Sequence, residues 1–402
     1  MARKVYDPWP IPGHQGLEPT HRVDWEAIAK KMVRESLKLT RHERVIVSAD
    51  PYFGGAAMDA VRCEIQRARA IELASVLHWT PAITALRLPN GCFPDPEDDA
   101  AETRAMCEMF AVADVFILLM NDRRGRRTVS TSQSDKVVDG WPRGRSIHLH
   151  WFHDPEFKDD PAHPVNLALD RVNETAVIDL DGDWLKRAML RLADLVRGRT
   201  VRLTDEAGTD FTFRIGRHIH LNYGDASKEH LAQFDSGRDR EEELPAGSFR
   251  TIPVAGSAEG VLVYPYRVGS ESAALGRGFD TTAFAKEGLR MVFRGGRIVA
   301  IETGGDQKLL DELWAKESGD KDKLGEIVIG CNPLLIPVAG SSYLPHSGFG
   351  AGVMRLIIGD NTLSGGNYKS TLHRWPTWNQ GNLEVDGRML IDRGRLIDPL
   401  RH

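Results

Sequence analysis

Residues Ala113 to Met120 read ADVFILLM, a run with the character of a buried strand. A strand with one face in water alternates polar and apolar residues, whereas this run is too apolar to be exposed on either face. Three further runs of strand character are RVIVSAD (Arg44 to Asp50), ASVLHW (Ala74 to Trp79) and RSIHLHW (Arg145 to Trp151). Helical patterns lie between them, and this order predicts a mainly parallel sheet covered by helices.

Two segments carry clear helical spacing. Residues 25–38 place Trp25, Met32 and Val33 on one face of an amphipathic helix. The stretch DWLKRAMLRLADLVRG follows later, with Asp183 as the expected N-cap and Gly198 near the C-terminal end. Between the two helices, the proline- and acid-rich residues 153–164 predict a surface excursion.

Near residue 199 the alternation of helical and strand patterns gives way to predicted hairpins. Residues 201–216 read as two strands around a turn, and residues 291–303 read as a hairpin whose loop is residues 294–297. We therefore expect two domains: residues 1–199 form an α/β domain with a mainly parallel sheet, and residues 200–402 form a glycine-rich α+β domain that carries the metal site.

Composition narrows the class of protein. Of 402 residues, 41% are apolar and 27% are charged, and the formal net charge is -5 with both signs interleaved. Nucleic acid is therefore not the expected partner. The four cysteines form no CxxC pair, no long apolar run occurs, and neither GxGxxG nor GxxxxGK[ST] is present. These features predict a cytoplasmic protein that is neither exported nor membrane-spanning and has no nucleotide-cradling loop.

Residues 324–375 hold the most informative group of polar side chains. Glu326 follows a glycine, His346 lies in PHSG, and His373 closes the run GGNYKSTLH. One carboxylate and two imidazoles suit zinc, manganese or iron(II), and three protein ligands leave positions open for water and substrate. The spacing of the three residues is equally compatible with an ordinary structural role, which is the alternative to a metal site.

The order of these segments resembles the aminopeptidase T family of metallopeptidases. GTDFTF (Gly208 to Phe213) and ELPAGSFRTIPVAGSAEG (Glu243 to Gly260) are similar to signatures of that family, which binds a pair of metal ions. The resemblance implies that Glu326, His346 and His373 are metal ligands, and it implies a homo-oligomer.

Two departures from the family pattern alter the expected chemistry. Ser248 stands where the family has its first glutamate, and Trp375 stands where it has the aspartate of a closing HxD motif. Without a bridging carboxylate two cations repel each other, so we expect one divalent ion per chain. Manganese is the favoured ion, with zinc, iron or cobalt as alternatives.

Non-peptidase relatives of this family act on small aromatic acids. They include 5-nitroanthranilate aminohydrolase and the iron-dependent 2,5-dihydroxypyridine dioxygenase. The departures resemble the first more, so we predict a hydrolase that replaces the amine of an electron-poor aromatic acid by hydroxyl. An aminopeptidase, a ring-opening dioxygenase and a non-catalytic binding module are the alternatives.

Further residues are candidates for the substrate site. His218 and His220 alternate as in a strand, as do His148 and His150, for which we favour a structural role. Among the arginines at residues 250, 290, 355 and 374, Arg290 and Arg374 are the predicted carboxylate ligands. Trp375 is predicted to stack on an aromatic ring, as Trp378 could also do, and Tyr368, Lys369 and Glu326 are predicted to move protons.

Overall fold

The computed structural model describes most of the chain and groups it into two compact units. The first unit comprises residues 1–178 and 224–245, and the second comprises residues 179–223 and 246–402. The described residues are 22–49, 53, 55–77, 104–105, 107–120, 141, 144–154, 156–157, 160–235, 238–264, 278–279, 281–341 and 349–401.

A parallel sheet forms the centre of the first unit. Its strands are β1 (Arg44–Ala49), β2 (Ile71–Leu77), β3 (Val115–Met120), β4 (Arg145–His150) and β8 (Glu241–Leu244). They lie in the order β2-β1-β3-β4-β8, and each neighbouring pair is parallel. The prediction of a mainly parallel sheet is confirmed.

The central strands are apolar because they are covered on both faces. Ile117 and Leu119 project to one face, and both are at most 1% exposed. Phe116 and Leu118 project to the other, where they pack with Ile46, Phe110 and Trp141. Each such side chain contributes about 1.5–3 kcal/mol by leaving water, so the run from Ala113 to Met120 does determine this half of the fold.

His148 and His150 lie on one face of β4, as their alternation predicted. His148 Nδ1 is 3.2 Å from Glu241 Oε1, and His150 Nε2 is 4.0 Å from Glu243 Oε1. The two imidazoles therefore face a pair of carboxylates on the adjacent strand β8. This arrangement supports the structural role favoured for them.

One buried ion pair joins three segments of the first unit. Arg145 is 5% exposed and donates to both carboxylate oxygens of Glu43, at 2.5 and 3.2 Å. Its remaining N–H groups donate to the carbonyl oxygens of Leu37 and Ala226. Burial by itself raises the pKa of Glu43, but hydrogen bonds from Arg145 and Thr40 outweigh it and leave that pKa below its usual value.

Helices in the described part of the first unit include α1 (Trp25–Lys30), α2 (Ala56–Arg67), α3 (Pro164–Ile178) and a short α5 (Lys228–Leu231), and a 3₁₀ turn lies at Arg238–Arg240. The α1 helix continues as a π-helical turn, Lys31–Ser36. The helix predicted over residues 25–38 is therefore present, although its second half is wound with five-residue hydrogen bonds.

The predicted surface excursion at residues 153–164 is wrong at its start. His153 and Asp154 are 2% and 0% exposed. His153 Nε2 lies 2.7 Å from Asp170 Oδ1, and the Asp154 N–H donates to the side chain of Asn166. Both partners belong to α3, and these hydrogen bonds offset the cost of burying the polar groups.

The second unit begins with α4 (Gly182–Val196), whose buried stripe is Leu185, Met189, Leu192 and Val196. The predicted N-cap, Asp183, is wrong by two residues. The Asp181 side chain accepts a hydrogen bond from the Trp184 N–H at 2.9 Å, so Asp181 is the N-cap and Asp183 lies in the first turn. Both residues have a carboxylate near the exposed backbone N–H groups, which is why the sequence alone did not separate them.

An antiparallel sheet of eight described strands follows, in the order β12-β11-β10-β6-β5-β17-β18-β19. The predicted pairing of β5 with β6 and the hairpin of β11 with β12 are confirmed. In the hairpin loop, Gly295 and Gly296 both have positive φ, +59° and +76°, as a tight two-residue hairpin turn requires. The strands are β5 (Thr200–Thr204), β6 (Asp210–Arg214), β10 (Glu259–Val263), β11 (Arg290–Arg294), β12 (Arg297–Glu302), β17 (Asn382–Val385), β18 (Arg388–Asp392) and β19 (Arg395–Leu396).

A second antiparallel sheet, which we call the site sheet, completes this unit. Its main path is β15-β14-β13-β9-β7, and β16 also pairs with β14. The strands are β7 (Ile219–Asn222), β9 (Ser248–Thr251), β13 (Leu324–Gly330), β14 (Met354–Gly359), β15 (His373–Arg374) and β16 (Thr377–Trp378). The remaining elements of the unit are α6 (Thr282–Ala285), α7 (Gln307–Lys316) and 3₁₀ turns at Thr362–Ser364 and Pro399–Arg401.

The compact units do not follow the single boundary expected at residue 199. The chain enters the second unit at residue 179, returns to the first for residues 224–245, and leaves it again. Strand β8 is the reason for the return, because it completes the parallel sheet. Two independently folding domains stay a prediction. Among the helices of the described residues, none has the length and apolar composition needed to cross a membrane.

The buried Arg145–Glu43 pair gives a test of the fold of the first unit. We expect Arg145→Met to lower the free energy of unfolding by roughly 3–5 kcal/mol, because it leaves a buried carboxylate uncompensated. Urea denaturation at pH 7 measures this loss. Arg44→Ala removes an exposed partner of Asp114 and is the control, with a smaller loss expected.

The same pair also has a pH signature. The lowered pKa of Glu43 means that its contribution is present above the unfolded value, about 4.3, and is lost as the pH falls through the folded value. The Glu43→Gln protein should therefore lose less of its unfolding free energy between pH 6 and pH 3 than the wild type does. Parallel stability curves for the two proteins over this range would contradict the assignment.

Candidate functional site on the site sheet

The register of the site sheet gathers polar side chains on one face. A row of paired residues crosses five of its strands. In order across the sheet, the row is His220, Arg250, Val328, Arg355 and Thr377. Directly paired residues in antiparallel strands project to the same face, so both arginines and His220 share one side.

Glu326 and His373 belong to this same face. Glu326 lies two residues from Val328 and pairs with Ile357, and His373 pairs with Gly359. Because side chains alternate along a strand, residues 355, 357 and 359 project together. We call this side the polar face; Asn222 and Ser248 complete it at its far end.

The polar face is buried although its residues are polar. Its members with side-chain functional groups have exposures of 2–9%: His220, Asn222, Ser248, Arg250, Glu326, Arg355, His373 and Thr377. The opposite face of the same sheet is apolar and includes Phe249, Ile327, Ile329, Leu356 and Ile358. Arginine and glutamate are seldom buried this deeply in a folded protein, so the row of such side chains marks this face as the candidate site.

A β-bulge aims Glu326 onto this face. The register shifts between Leu324 and Glu326, so Gly325 is the extra residue. A Cβ atom at Gly325 would lie 2.9 Å from the carbonyl oxygen of Gly359, and the Gly325 carbonyl accepts from Asn361 Nδ2 at 2.9 Å. The Gly-Glu sequence is therefore needed to present this carboxylate.

Gly359 brings His373 to the polar face. Its φ is +96°, and a Cβ atom there would lie 2.1 Å from the carbonyl oxygen of Leu372. The Nδ1 atom of His373 lies 2.7 Å from the carbonyl oxygen of Asp360. A carbonyl can only accept, so Nδ1 carries the proton and Nε2 keeps a lone pair.

Trp375 contacts both a histidine and an arginine of this face. Its Nε1–H donates a hydrogen bond to His373 Nε2. The guanidinium carbon of Arg355 lies over the Trp375 ring and over the Phe349 ring, 4.9 Å from each centroid. Cation–π contacts hold a guanidinium through ring faces and do not require its N–H groups, so Arg355 is held in place by two aromatic side chains.

Two of the three predicted metal ligands, Glu326 and His373, thus lie on one buried face. The third, His346, lies outside the described residues. Within the described part of the chain, no group of three His, Cys, Asp or Glu residues is placed to hold a metal ion. Burial raises the pKa of the Cys331 thiol to about 12, and this thiol donates a hydrogen bond to the carbonyl oxygen of Ile329 at 3.6 Å.

These observations define how a metal ion fits the site. The lone pair on His373 Nε2 and the carboxylate of Glu326 have the chemistry of ligands, and the hydrogen bond from Nδ1 to Asp360 is the usual support of a ligating histidine. The residues fit a metal ion only as part of a larger ligand set, to which His346 would belong.

The predicted histidine pair is divided in exposure. His220 is 5% exposed and lies on the polar face, whereas His218 is exposed and precedes strand β7. The carbonyl oxygen of His218 accepts from Thr251 Oγ1 at 2.7 Å. Of the two, His220 has the position of a residue that meets a ligand.

The two predicted carboxylate-binding arginines lie elsewhere. Arg290 is on β11 of the eight-stranded sheet and forms an exposed ion pair with Glu302 at 2.8 Å. Arg374 pairs with Ile358 on the apolar side of the site sheet, and it donates to the carbonyl oxygens of Gly278 and Phe279. The arginines on the polar face are Arg250 and Arg355.

Tyr368 and Lys369, the predicted proton donors, lie in the loop before β15. Lys323 Nζ is 4.3 Å from the centroid of the Tyr368 ring. Lys369 is exposed, and its backbone N–H donates to Asp320. The structure thus joins both residues to the segment before β13 rather than to Glu326 or His373, and their catalytic role stays a prediction.

Alternation in the sequence could have indicated the polar-face residues that were not predicted as site residues. Strand β9 reads SFRT, in which Ser248 and Arg250 alternate with apolar Phe249, and His373, Trp375 and Thr377 occupy alternate positions of the segment HRWPT. Alternation predicts a shared face, but only the pairing of the strands shows that these faces coincide.

Comparisons with known proteins agree with this fold. No protein-family model matches the sequence, and no curated protein matches it. Among solved structures, AmpT from Thermus thermophilus aligns with a TM-score of 0.60 at 15% identity, over 93% of this chain and 98% of AmpT. The 2,5-dihydroxypyridine dioxygenase from Pseudomonas putida aligns with a TM-score of 0.59 at 17% identity, over 93% of this chain and 96% of the dioxygenase. The chain therefore shares a mixed fold of parallel and antiparallel sheets with both proteins, as a distant structural relative.

Proposed function

We propose that this protein is a metal-dependent hydrolase that replaces the amine of a small, electron-poor aromatic acid by hydroxyl, with 5-nitroanthranilate as the first substrate to test. The observation that carries the proposal is the buried polar face, which combines a carboxylate, an imidazole whose Nε2 atom carries the ring's acceptor lone pair and two guanidinium groups. The fold shared with AmpT and with a dioxygenase of a small aromatic ring is consistent with it.

The charges on the polar face favour an anionic substrate. Arg250 and Arg355 carry two positive charges on this face, against one negative charge on Glu326. A carboxylate entering this face would be attracted by both guanidinium groups, and in a buried site this attraction is screened less than in water. The excess positive charge also makes the face a weak host for a divalent cation.

Arg355 is the residue that we assign to the substrate carboxylate, in place of Arg290 and Arg374. Its planar fork matches a carboxylate with two parallel hydrogen bonds. Phe349 and Trp375 hold the guanidinium and limit its rotation. A ring anchored by its carboxylate at Arg355 would then keep one orientation towards Glu326 and His373.

The proposed metal ligands are Glu326, His373 and His346, and manganese is the ion that we favour. A metal ion bound there would lower the pKa of a water molecule from 15.7 to about 7 and so provide a nucleophile at neutral pH. We assign Glu326 to accept the proton of the attacking water and to return it to the departing amine. We assign His220, which lies on the same face, to contact the substrate.

The remaining proposals concern the cell and the assembly. We propose a cytoplasmic homo-oligomer; the lack of a CxxC pair in the sequence supports the first property and the family resemblance supports the second. Neither property affects the chemistry assigned to the polar face.

Replacing the described ligands tests the metal site. We expect His373→Ala and Glu326→Ala to abolish both stoichiometric manganese binding and deamination, while circular dichroism and melting show a folded protein. His346→Ala should have the same effect. Isothermal titration with manganese measures binding, and Ser364→Ala is a control outside the polar face. Unchanged manganese binding by both His373→Ala and Glu326→Ala would remove the proposed centre.

Arginine variants test the assignment of the carboxylate. We expect Arg355→Gln to lower kcat/KM for 5-nitroanthranilate by about 10- to 100-fold, because a charge-assisted hydrogen-bonded contact is lost. Arg290→Gln should leave kcat/KM unchanged, since Arg290 lies on the eight-stranded sheet. A loss in Arg290→Gln with none in Arg355→Gln would reverse the assignment.

The assay also separates the alternative reactions. Ammonia release from 5-nitroanthranilate supports the proposal. Release of p-nitroaniline from leucine p-nitroanilide without deamination would indicate an aminopeptidase, and oxygen uptake with 2,5-dihydroxypyridine would indicate a ring-opening dioxygenase.

A further inference from the structure

We infer that Trp375 competes with the metal ion for the same nitrogen atom of His373 and thereby sets the metal affinity of the site. The inference rests on the proposed function, in that it takes His373 to be a metal ligand. It gives Trp375 a role beyond the ring stacking that the sequence predicts for it.

The competition follows from the proton positions around the imidazole. His373 Nδ1 must carry a proton, because it faces the carbonyl oxygen of Asp360 at 2.7 Å. The only lone pair in the ring plane is therefore on Nε2. The indole N–H of Trp375 donates to that lone pair. A metal ion needs the same lone pair, and one lone pair cannot serve both partners.

The indole is held in this position by further contacts. The rings of His373 and Trp375 meet edge to face with centroids 5.1 Å apart. The guanidinium carbon of Arg355 lies over the indole, 4.9 Å from the ring centroid. Arg355 attracts the face of the indole ring and His373 attracts its edge, so two contacts hold the indole in this position. Metal entry therefore requires the indole N–H to leave Nε2.

The same contacts connect the metal to the substrate. An acid that binds Arg355 gives the guanidinium a carboxylate as an additional partner while Phe349 still holds it, and this weakens its contact with the Trp375 ring. The structure thus predicts that an aromatic acid increases metal affinity through the indole, in addition to any direct bond. Binding of metal and acid should be mutually favourable, as linkage requires.

Trp375→Phe is the matched variant, because it keeps an aromatic side chain beside Arg355 and removes the indole N–H. We expect its dissociation constant for zinc to fall by about fivefold, the equivalent of one net hydrogen bond. Trp378→Phe is the control, since Trp378 lies on the apolar side of the same sheet. Titration calorimetry with Zn²⁺ alone measures both.

A second readout does not depend on the affinity of a variant. Wild-type protein labelled with 5-fluorotryptophan should show one of its nine tryptophan ¹⁹F signals shift when Zn²⁺ is added. The signal is assigned to Trp375 by its absence in Trp375→Phe or Trp375→Tyr. Addition of benzoate should then lower the zinc concentration needed for the shift.

Tighter zinc binding by Trp375→Phe together with a zinc-dependent Trp375 signal supports the inference. Equal dissociation constants in the wild type and Trp375→Phe, with no movement of the Trp375 signal while zinc binds, would overturn the inference and leave the proposed function standing. Failure of zinc and of manganese to bind any of the proteins would overturn both.

Discussion

The constraint on which the site depends is the register of the site sheet. Pairing of β9, β13 and β14 places Arg250, Val328 and Arg355 side by side, and it places Glu326 on the same face. Side chains alternate along each strand, so a register shift of one residue would move these polar groups to the apolar face of the sheet. It would also move the apolar side chains to the polar face. The apolar side of the sheet therefore fixes the position of the polar side.

Two glycines make that register compatible with the site. Gly325 forms the bulge that redirects Glu326, and Gly359 allows the backbone before His373 to pass within a distance that a Cβ atom would block. Both glycines lie next to each other in space, because a Cβ atom at Gly325 would meet the carbonyl oxygen of Gly359. Stability of the sheet and placement of the two ligand residues are thus parts of one arrangement.

Sequence reasoning reached some of this arrangement and not the rest, for physical reasons. Apolar runs such as residues 113–120 identify buried strands, because only a sheet covered on both faces tolerates them. Glu326 and His373 were found through a family resemblance. Arg355 was not chosen over Arg374, because the two residues lie on strands whose mutual register a sequence does not display. The hydrogen bond from Trp375 to His373 likewise depends on side-chain placement.

We propose that the polar face holds one metal ion between Glu326 and His373, and anomalous scattering from crystals grown with manganese would locate it. We expect one anomalous peak per chain, within bonding distance of Glu326 and of His373 Nε2, with the indole of Trp375 withdrawn from that nitrogen. A peak at any other place, or two peaks in the site, would contradict it.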